Sequence, residues 1–475
     1  MSRAAAVAVV GGGMSGLAAA HRLGELAAAR GLTVAVSLYE ASARTGGVVS
    51  TLRRDGFLLE EGPDSIITDK PWGRALAERL GLAGRLVGTR EASRRSFVVR
   101  KGRLHPTPDG FYLLAPTRFL PLAATPLFSP LGKARMALDL VLPRRRGGGD
   151  ESVGSFVRRR LGREALERMA QPMIAGIYGA DPDELSLGAT FPRFQAMEAE
   201  HGSVILGMLA AGRKRADASP AASERSASGP RYGLFVSFDD GLQTLTGALA
   251  ARLPPGAVRA GARVKELSPD PGGGWIARAA GAGERFDAVI LAVPAPEAAA
   301  LLAPVDPALA AGLRRIPYGA AATVSLAFEA RQVSHPMDGA GFVVPSLEGM
   351  SITGCTFAHS KYPGRAPEGK VLVRAFWGGA SASLDDDGIA RATLSELRPL
   401  LGIRAEPLFH HLARFPRSMP RYAVGHLTLV DSIEQQAARH RGLALAGNAY
   451  RGVGIPDCIH SGESAAEKII ESLGA

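Results

Sequence analysis

Apolar residues in this chain fall into short runs, broken by glycine turns and by stretches of helical spacing. Val7-Ala8-Val9-Val10 has the length and composition of a buried parallel strand. It feeds Gly11-Gly12-Gly13-Met14-Ser15-Gly16, after which Leu17-Ala18-Ala19-Ala20 opens a helix. The apolar segment from Thr33 to Tyr39 then ends on Glu40. Strand, glycine turn, helix, strand and acid in this order predict a Rossmann-like dinucleotide-binding unit. Gly11 permits the tight turn, Gly13 lets a pyrophosphate approach the backbone, and Gly16 lets helix and strand pack closely. The helix N-terminus, reached through Gly12, Met14 and Ser15, offers free N–H donors and partial positive charge. Glu40 is placed to accept hydrogen bonds from a ribose diol. Read without a ligand, the same residues make a tight strand-to-helix turn with Glu40 as a solvated strand end.

The pattern continues in alternating blocks. Arg95-Ser96-Phe97-Val98-Val99, a basic glycine turn and Arg103-Leu104 predict a hairpin. Residues 111 to 128 are apolar but broken by prolines and Arg118, too interrupted to cross a membrane. They are expected to line a substrate cavity, or else to form an apolar lip on a bilayer surface beside Lys133, Arg135 and Arg144-Arg145-Arg146. A helical segment runs from about Ser152 to Glu200, and residues 213–230 form a low-complexity insert expected to be a surface loop. Ala257-Val258 and Arg263 to Leu267 read as a strand pair, and Ala288 to Val293 as a buried strand closed by Pro294. Ala322 to Phe328 and Lys370 to Trp377 predict a separate sheet, and Leu443 to Ile459 a strand, a glycine-rich turn and a helix.

Two further turns narrow the cofactor. Ala41-Ser42-Ala43-Arg44-Thr45-Gly46-Gly47-Val48 sets an R-x-G-G directly after the ribose acid, a cation and flexible backbone beside the phosphates. In place of a third parallel strand there follows Glu61-Gly62-Pro63-Asp64-Ser65, which points to a flavin rather than a nicotinamide.

These stretches together resemble the FAD domain of the flavin-containing amine oxidase superfamily. The resemblance implies that Gly62, Pro63, Asp64 and Ser65 lie at the flavin, that Val264 meets adenine through its backbone, and that the turn with Asn448, Val453, Gly454 and Ile455 lies along the isoalloxazine ring. Gly176-Ile177-Tyr178-Gly179-Ala180-Asp181-Pro182-Asp183-Glu184-Leu185-Ser186 is similar to a stretch of protoporphyrinogen oxidases. So are Phe238-Asp239-Asp240-Gly241-Leu242-Gln243-Thr244-Leu245 and Pro420-Arg421-Tyr422 with Gly425-His426. Read locally, Asp181 to Glu184 is a helix N-cap, a proline at the first helical position and acids in the first turn. The resemblance places an arginine near a substrate carboxylate at the start of the 95–104 hairpin; Arg95 is the candidate, with Arg94 or Ser96 as alternatives.

The implied fold is mixed α/β and α+β. It combines a Rossmann-like FAD domain built from 1–85, 232–300 and 415–475 with a substrate domain, of mixed or antiparallel sheet, from 86–110 and 303–414. Residues 111–212 form a helical lobe that faces either substrate or membrane.

Composition removes other classes. A net charge of +11 invites a nucleic-acid reading, but the arginines are scattered and no basic–aromatic recognition motif accompanies them, so no nucleic-acid partner is expected. Cys355 and Cys458 form no C-x-x-C pair, which fits a reducing, cytoplasmic compartment and no metal site. No uninterrupted apolar run spans a bilayer, so any membrane attachment is expected to be peripheral; a homodimer is an open expectation. There is no zinc pattern and no G-x-S-x-G elbow, so a cofactor must carry the hard step.

The resemblance implies non-covalent FAD, a porphyrinogen substrate that gives up hydride from a methylene bridge to flavin N5, and dioxygen as acceptor. No side-chain acid or base is assigned. Protoporphyrinogen IX is the expected substrate, and coproporphyrinogen III, with two more propionates, the alternative. An amine oxidase would usually set an aromatic pair against the flavin, and Tyr450 is the only aromatic in the terminal turn. A scaffold that binds flavin without turnover is the third reading.

Overall fold

The computed structural model describes residues 4–93, 95–112, 115–145, 147–218, 235–279, 281–379 and 384–474. Its organising sheet has five parallel strands in the order Val258–Arg259, Val34–Tyr39, Ala5–Val10, Ala288–Leu291, Leu443–Leu445. Segments from the start, middle and end of the chain therefore share one hydrogen-bonded ladder. Val7, Val9, Ala288 and Ile290 face the helices Met14–Arg30 and Ile455–Gly474, while Ala8, Val10, Val289 and Leu291 face the opposite core. Burial on both faces explains why these strands are apolar at consecutive positions instead of alternating.

The helices on the first face touch closely. A Cβ on Gly462 would lie 2.1 Å from the Ser15 carbonyl oxygen, so only glycine lets the C-terminal helix seat on the N-terminal one. After Glu40 the chain makes the antiparallel hairpin Thr51–Arg54 and Phe57–Glu60, not a third parallel strand.

The expected pairing of Ala257-Val258 with residues 263–267 is corrected. Val258–Arg259 joins the parallel sheet beside Leu38 and Tyr39. Val264–Pro269 instead pairs with Trp275–Ala279 in a separate three-stranded antiparallel sheet completed by Ala282–Phe286. The turn at Gly261, whose N–H is held by the Ser42 carbonyl, redirects the chain between the two.

The second large sheet has seven strands, in the order Phe409–Pro420, Tyr318–Glu329, Lys370–Trp377, Ile352–Phe357, Gly341–Val343, Phe97–Arg100, Arg103–Pro106. All pairs are antiparallel except Gly341–Val343 with Phe97–Arg100. Helix Asp386–Leu401 covers one face through Ile389, Leu397, Leu400 and Leu401. The last strand runs to Pro420, past the boundary expected at 414, because its register with Tyr318–Glu329 continues from Phe409 opposite Ala327 to Pro420 opposite Tyr318. The hairpin read from residues 95–104 forms the sheet edge and turns on Lys101 and Gly102, both at positive φ.

The helical lobe packs Val153, Phe156, Val157, Met169, Ile174 and Phe194 into one core. Residues 111–128 join it. Phe111, Ala115, Leu122, Leu127 and Phe128 are buried in the core of the lobe. Phe119 and Leu120 remain outside, with Leu120 85% exposed. Asp181 to Glu184 is a turn, not a helix start. Asp181 Oδ1 accepts the Asp183 N–H at 2.9 Å, and the following backbone pairs at Leu185 with Ala423, so the helix begins only at Leu187, capped by Ser186. Helix Val204–Ala218 runs into the segment expected as a loop from 213; residues 219–230 lie outside the described residues, as does Arg146. No described helix is long and apolar enough to cross a membrane.

One ion pair holds the lobe from inside. Arg160 and Asp139 are fully buried, with Nε to Oδ1 at 2.6 Å. The Arg160 guanidinium also donates to the carbonyls of Asp139, Leu142, Pro143 and Gly202, and Asp139 Oδ2 accepts from Ser203 and Ile205. Asp139→Ala strands a buried cation and should cost about 3–5 kcal/mol of lobe stability. Limited proteolysis and denaturant midpoints test this: cleavage should concentrate in 111–212, and an unchanged midpoint would refute the role.

Candidate flavin site at the junction of two sheets

The glycine turn behaves as its spacing requires. Gly11 sits at φ +105°, and a Cβ there would lie 2.4 Å from the Ala292 carbonyl oxygen; one on Gly16 would lie 1.8 Å from the Gly11 oxygen. Gly13 differs: an added Cβ meets nothing within 4 Å. Two glycines thus serve packing, while the third presents bare backbone to open space at the start of the helix. The R-x-G-G segment folds onto this opening. Gly46 N–H donates to the Gly12 oxygen at 2.8 Å, and Gly46 bridges Gly13. Arg44 donates to the carbonyls of Gly47 and Val49, so its charge is fixed beside the loop instead of trailing into solvent. Glu40 lies under the same loop, one oxygen accepting from Gly12 N at 2.8 Å and the other from Ser42. Val48, Gly62 and the 61–65 turn are adjacent, since a Cβ on Gly62 would meet the Val48 oxygen.

The terminal turn approaches from the parallel sheet. After Leu443–Leu445 the chain passes Gly447 at φ +135° and reaches the helix that starts at Ile455. Asn448 donates to the Ser418 carbonyl at 3.2 Å. Val453 packs against the core of the helical lobe, so this turn touches both lobes. Met14 and Ser15 are buried at the first helix start, next to Cys458, whose thiol is pushed up to about 12 by burial. Val264 is buried at the start of its antiparallel sheet. The segments carrying Gly11–Gly16, Glu40, Arg44–Val48 and Gly62 are therefore adjacent, and the terminal turn reaches the helical lobe.

Sequence reading missed the side chains that hold the junction shut. Lys361 Nζ lies 2.9 Å from Asp64 Oδ1 and 2.8 Å from Ser65 Oγ. Tyr362 donates to Ser65 Oγ at 2.9 Å. Arg374 donates to the carbonyls of Glu60 and Gly62 at 2.7 and 2.8 Å and pairs with Asp64 at 3.2 Å. Arg365 reaches Ser237 and the Phe238 and Asp239 carbonyls. Glu61 is bonded by Ser50 and by His411 at 2.7 Å, and its carbonyl accepts from Thr323. Burial alone would raise the Asp64 carboxyl, but Lys361 and Arg374 hold it far below the usual range. Glu61 is likewise lowered against its burial, by Ser50 and His411, whereas burial dominates at Glu60 and raises it. The only signal for these partners was a cationic residue recurring among strand positions otherwise apolar, as at Arg374 within Lys370–Trp377.

Arg95 sits at the entry to the edge hairpin. Its side chain is 71% exposed and paired with Asp338 at 3.2 Å, so a substrate carboxylate would have to displace that acid. Ser96 Oγ is bonded to Thr107, and Arg94 lies outside the described residues.

The sequence profile of the flavin containing amine oxidoreductase family matches residues 14–470. The chain belongs to that family. It is an oxidoreductase, and its cofactor is FAD. It is 35% identical to the coproporphyrinogen III oxidase of Bacillus subtilis over 98% of each chain. Against the mitochondrial protoporphyrinogen oxidase of Nicotiana tabacum it is 29% identical, over 99% of this chain and 96% of the relative. A solved structure from Exiguobacterium sp. 255-15, provisionally assigned as a protoporphyrinogen oxidase, superposes with a TM-score of 0.86 at 31% identity, covering 100% of both chains.

The seam predicts a pH dependence. Asp64 and Glu61 hold fewer protons folded than unfolded, so their stabilisation is present above a carboxylate's ordinary pKa and is lost as pH falls through it, from about pH 5 downward. Glu60 works in the opposite sense, losing its contribution as pH rises. Asp64→Asn should lower stability at pH 7 by about 3 kcal/mol, since it leaves Lys361 and Arg374 short of their buried counter-charge. Its denaturant midpoint should then fall less steeply on acidification than that of the parent protein; parallel slopes would refute the assignment.

Proposed function

We propose that the chain oxidises coproporphyrinogen III to coproporphyrin III with dioxygen as electron acceptor. The observation that carries this reading is the full-length match to a coproporphyrinogen III oxidase at 35% identity, against 29% for a protoporphyrinogen oxidase of similar coverage. The expected substrate thus moves from protoporphyrinogen IX to its tetra-propionate relative. The excess of positive charge, +11, suits a substrate with four carboxylates.

Bound FAD would supply a hydride acceptor for a bridging carbon, and three two-electron oxidations, each matched by one dioxygen reduced to peroxide, would convert porphyrinogen to porphyrin. The protein supplies position and exclusion of water. Gly11, Gly12, Gly13 and Gly16 with the amides of Met14 and Ser15 hold the pyrophosphate. Glu40 holds the ribose by exchanging its contact with Gly12 N for the diol. Arg44, Gly46, Gly47 and Val48 close over the phosphate loop, and Val264 meets the adenine. Gly62, Pro63, Asp64 and Ser65 on one side, and Asn448, Val453, Gly454 and Ile455 on the other, flank the ring system. No side-chain acid or base is assigned to the chemistry, and the dehydrogenation is read as driven by the cofactor.

Two measurements test the reading. Gly13→Asp places a carboxylate in the open space beside Gly13 and should yield protein without bound flavin; a variant that keeps the yellow chromophore would exclude this loop as the phosphate site. Anaerobic mixing with each porphyrinogen should bleach the flavin at least about tenfold faster with coproporphyrinogen III, corresponding to about 1.4 kcal/mol of discrimination. Faster bleaching by protoporphyrinogen IX would reverse the substrate assignment.

A further inference from the structure

Two sequence stretches that the flavin site does not use meet in the fold. The Asp181–Ser186 turn of the helical lobe lies against Tyr422: Ser186 N–H donates to the Tyr422 carbonyl at 2.7 Å, Leu185 bridges Ala423, and Val424 N–H donates to the Glu184 carbonyl at 3.3 Å. From that position the Tyr422 side chain reaches across to the terminal turn. Its hydroxyl donates to the Asn448 carbonyl at 2.6 Å and accepts the Gly452 N–H at 2.8 Å, so a single oxygen closes the turn across four residues. Tyr422 is 1% exposed, its ring stacks on His426 at 3.9 Å between centroids, and the His426 Nε2 lies 2.8 Å from the Tyr450 carbonyl inside the same turn. That carbonyl makes the histidine nitrogen a donor, so the ring is the Nε2–H tautomer. Asp150 completes the joint from the lobe side, one oxygen accepting from Gly188 N and the other from Gly425 N.

We propose that Tyr422, seated on His426, is a positioning residue that fixes the 448–454 turn against the flavin ring and transmits to it the position of the helical lobe. This rests on the reading that the terminal turn lies along the isoalloxazine. Among the described hydrogen bonds the Tyr422 hydroxyl alone ties Asn448 to Gly452, while His426 holds the Tyr450 carbonyl between them. Its backbone belongs to the lobe's joint and its side chain to the turn, so a shift of the lobe must move both.

The test uses Tyr422→Phe in the FAD-loaded protein, which keeps the stacked ring and removes only the oxygen. FAD should remain bound in full, while the flavin absorption band and its reduction potential shift and kcat falls about tenfold with KM changed less than twofold, as expected for one lost buried hydrogen-bond hub. A second variant, Gly454→Ala, probes the turn itself. If Gly454→Ala perturbs the flavin band and Tyr422→Phe leaves band, potential and kcat unchanged, the positioning role is overturned while the site stands. If neither changes the band, the placement of the turn at the flavin falls, and the proposal with it. A loss of thermal stability in Tyr422→Phe with an unshifted potential and unchanged kcat also overturns it, since that is what a merely structural tyrosine would give.

Discussion

The arrangement depends on a charged seam that is taken out of water between two sheets. Lys361 and Arg374 come from the seven-stranded sheet and its following helix turn, Asp64 from the turn after the first hairpin, and none of the three has an adequate partner within its own unit. Closing the junction takes these charges out of water, so the acid and the cations each need a partner from across it. Joining them satisfies both. Arg374 adds a geometric condition, because its guanidinium must reach two main-chain carbonyls, Glu60 and Gly62, as well as the acid. Such bonds are short-ranged and directional, so they set the spacing of the sheets more sharply than apolar contact would.

That spacing sets how closely the Gly62–Ser65 turn approaches the seven-stranded sheet. In the proposed site the glycine turn and the R-x-G-G segment would be the floor, the Gly62–Ser65 turn one wall, and the terminal turn the other. Each wall is held from behind by a different sheet. Flavin chemistry asks little of side-chain acids and bases, and the protein's investment goes into holding a flat ring between surfaces that do not move independently.

Much of this was legible in the residues, and the reasons are local. The parallel strands are apolar on both faces, so Val7–Val10, Ala288–Leu291 and Leu443–Leu445 stood out by composition. The fingerprint glycines stood out because the backbone there tolerates no Cβ at Gly11 or Gly16. What failed to show were long-range partners. Val258 and Val264 are six residues apart and were read as neighbours in one sheet, but a turn sends them to two; nothing in their own side chains records which strand each will meet. Asp181-Pro182-Asp183-Glu184 carries every local mark of a helix start, and the pairing of Leu185 with Ala423, far along the chain, overrides it. Residues 111–128 left their cover open for a similar reason: an apolar stretch states that it will be covered, and not by what. Arg374 and Lys361 gave the weakest signal of all, since a cation in a strand is ordinary until its buried acid is located.

The contact between Gly462 and the Ser15 carbonyl has a consequence for biosynthesis. The strand and helix that open the nucleotide fold lie near one end of this sequence, and the helix that covers them and the fifth strand lie near the other. At about 5–20 residues per second the N-terminal strand and helix wait on the order of a minute for these companions. During that interval the apolar flank of Met14–Arg30 is uncovered, and the nascent chain must be shielded by chaperones or by its own collapsed middle. Completing the nucleotide fold is therefore a late event, and removing the helix Ile455–Gly474 would leave the flank of Met14–Arg30 uncovered.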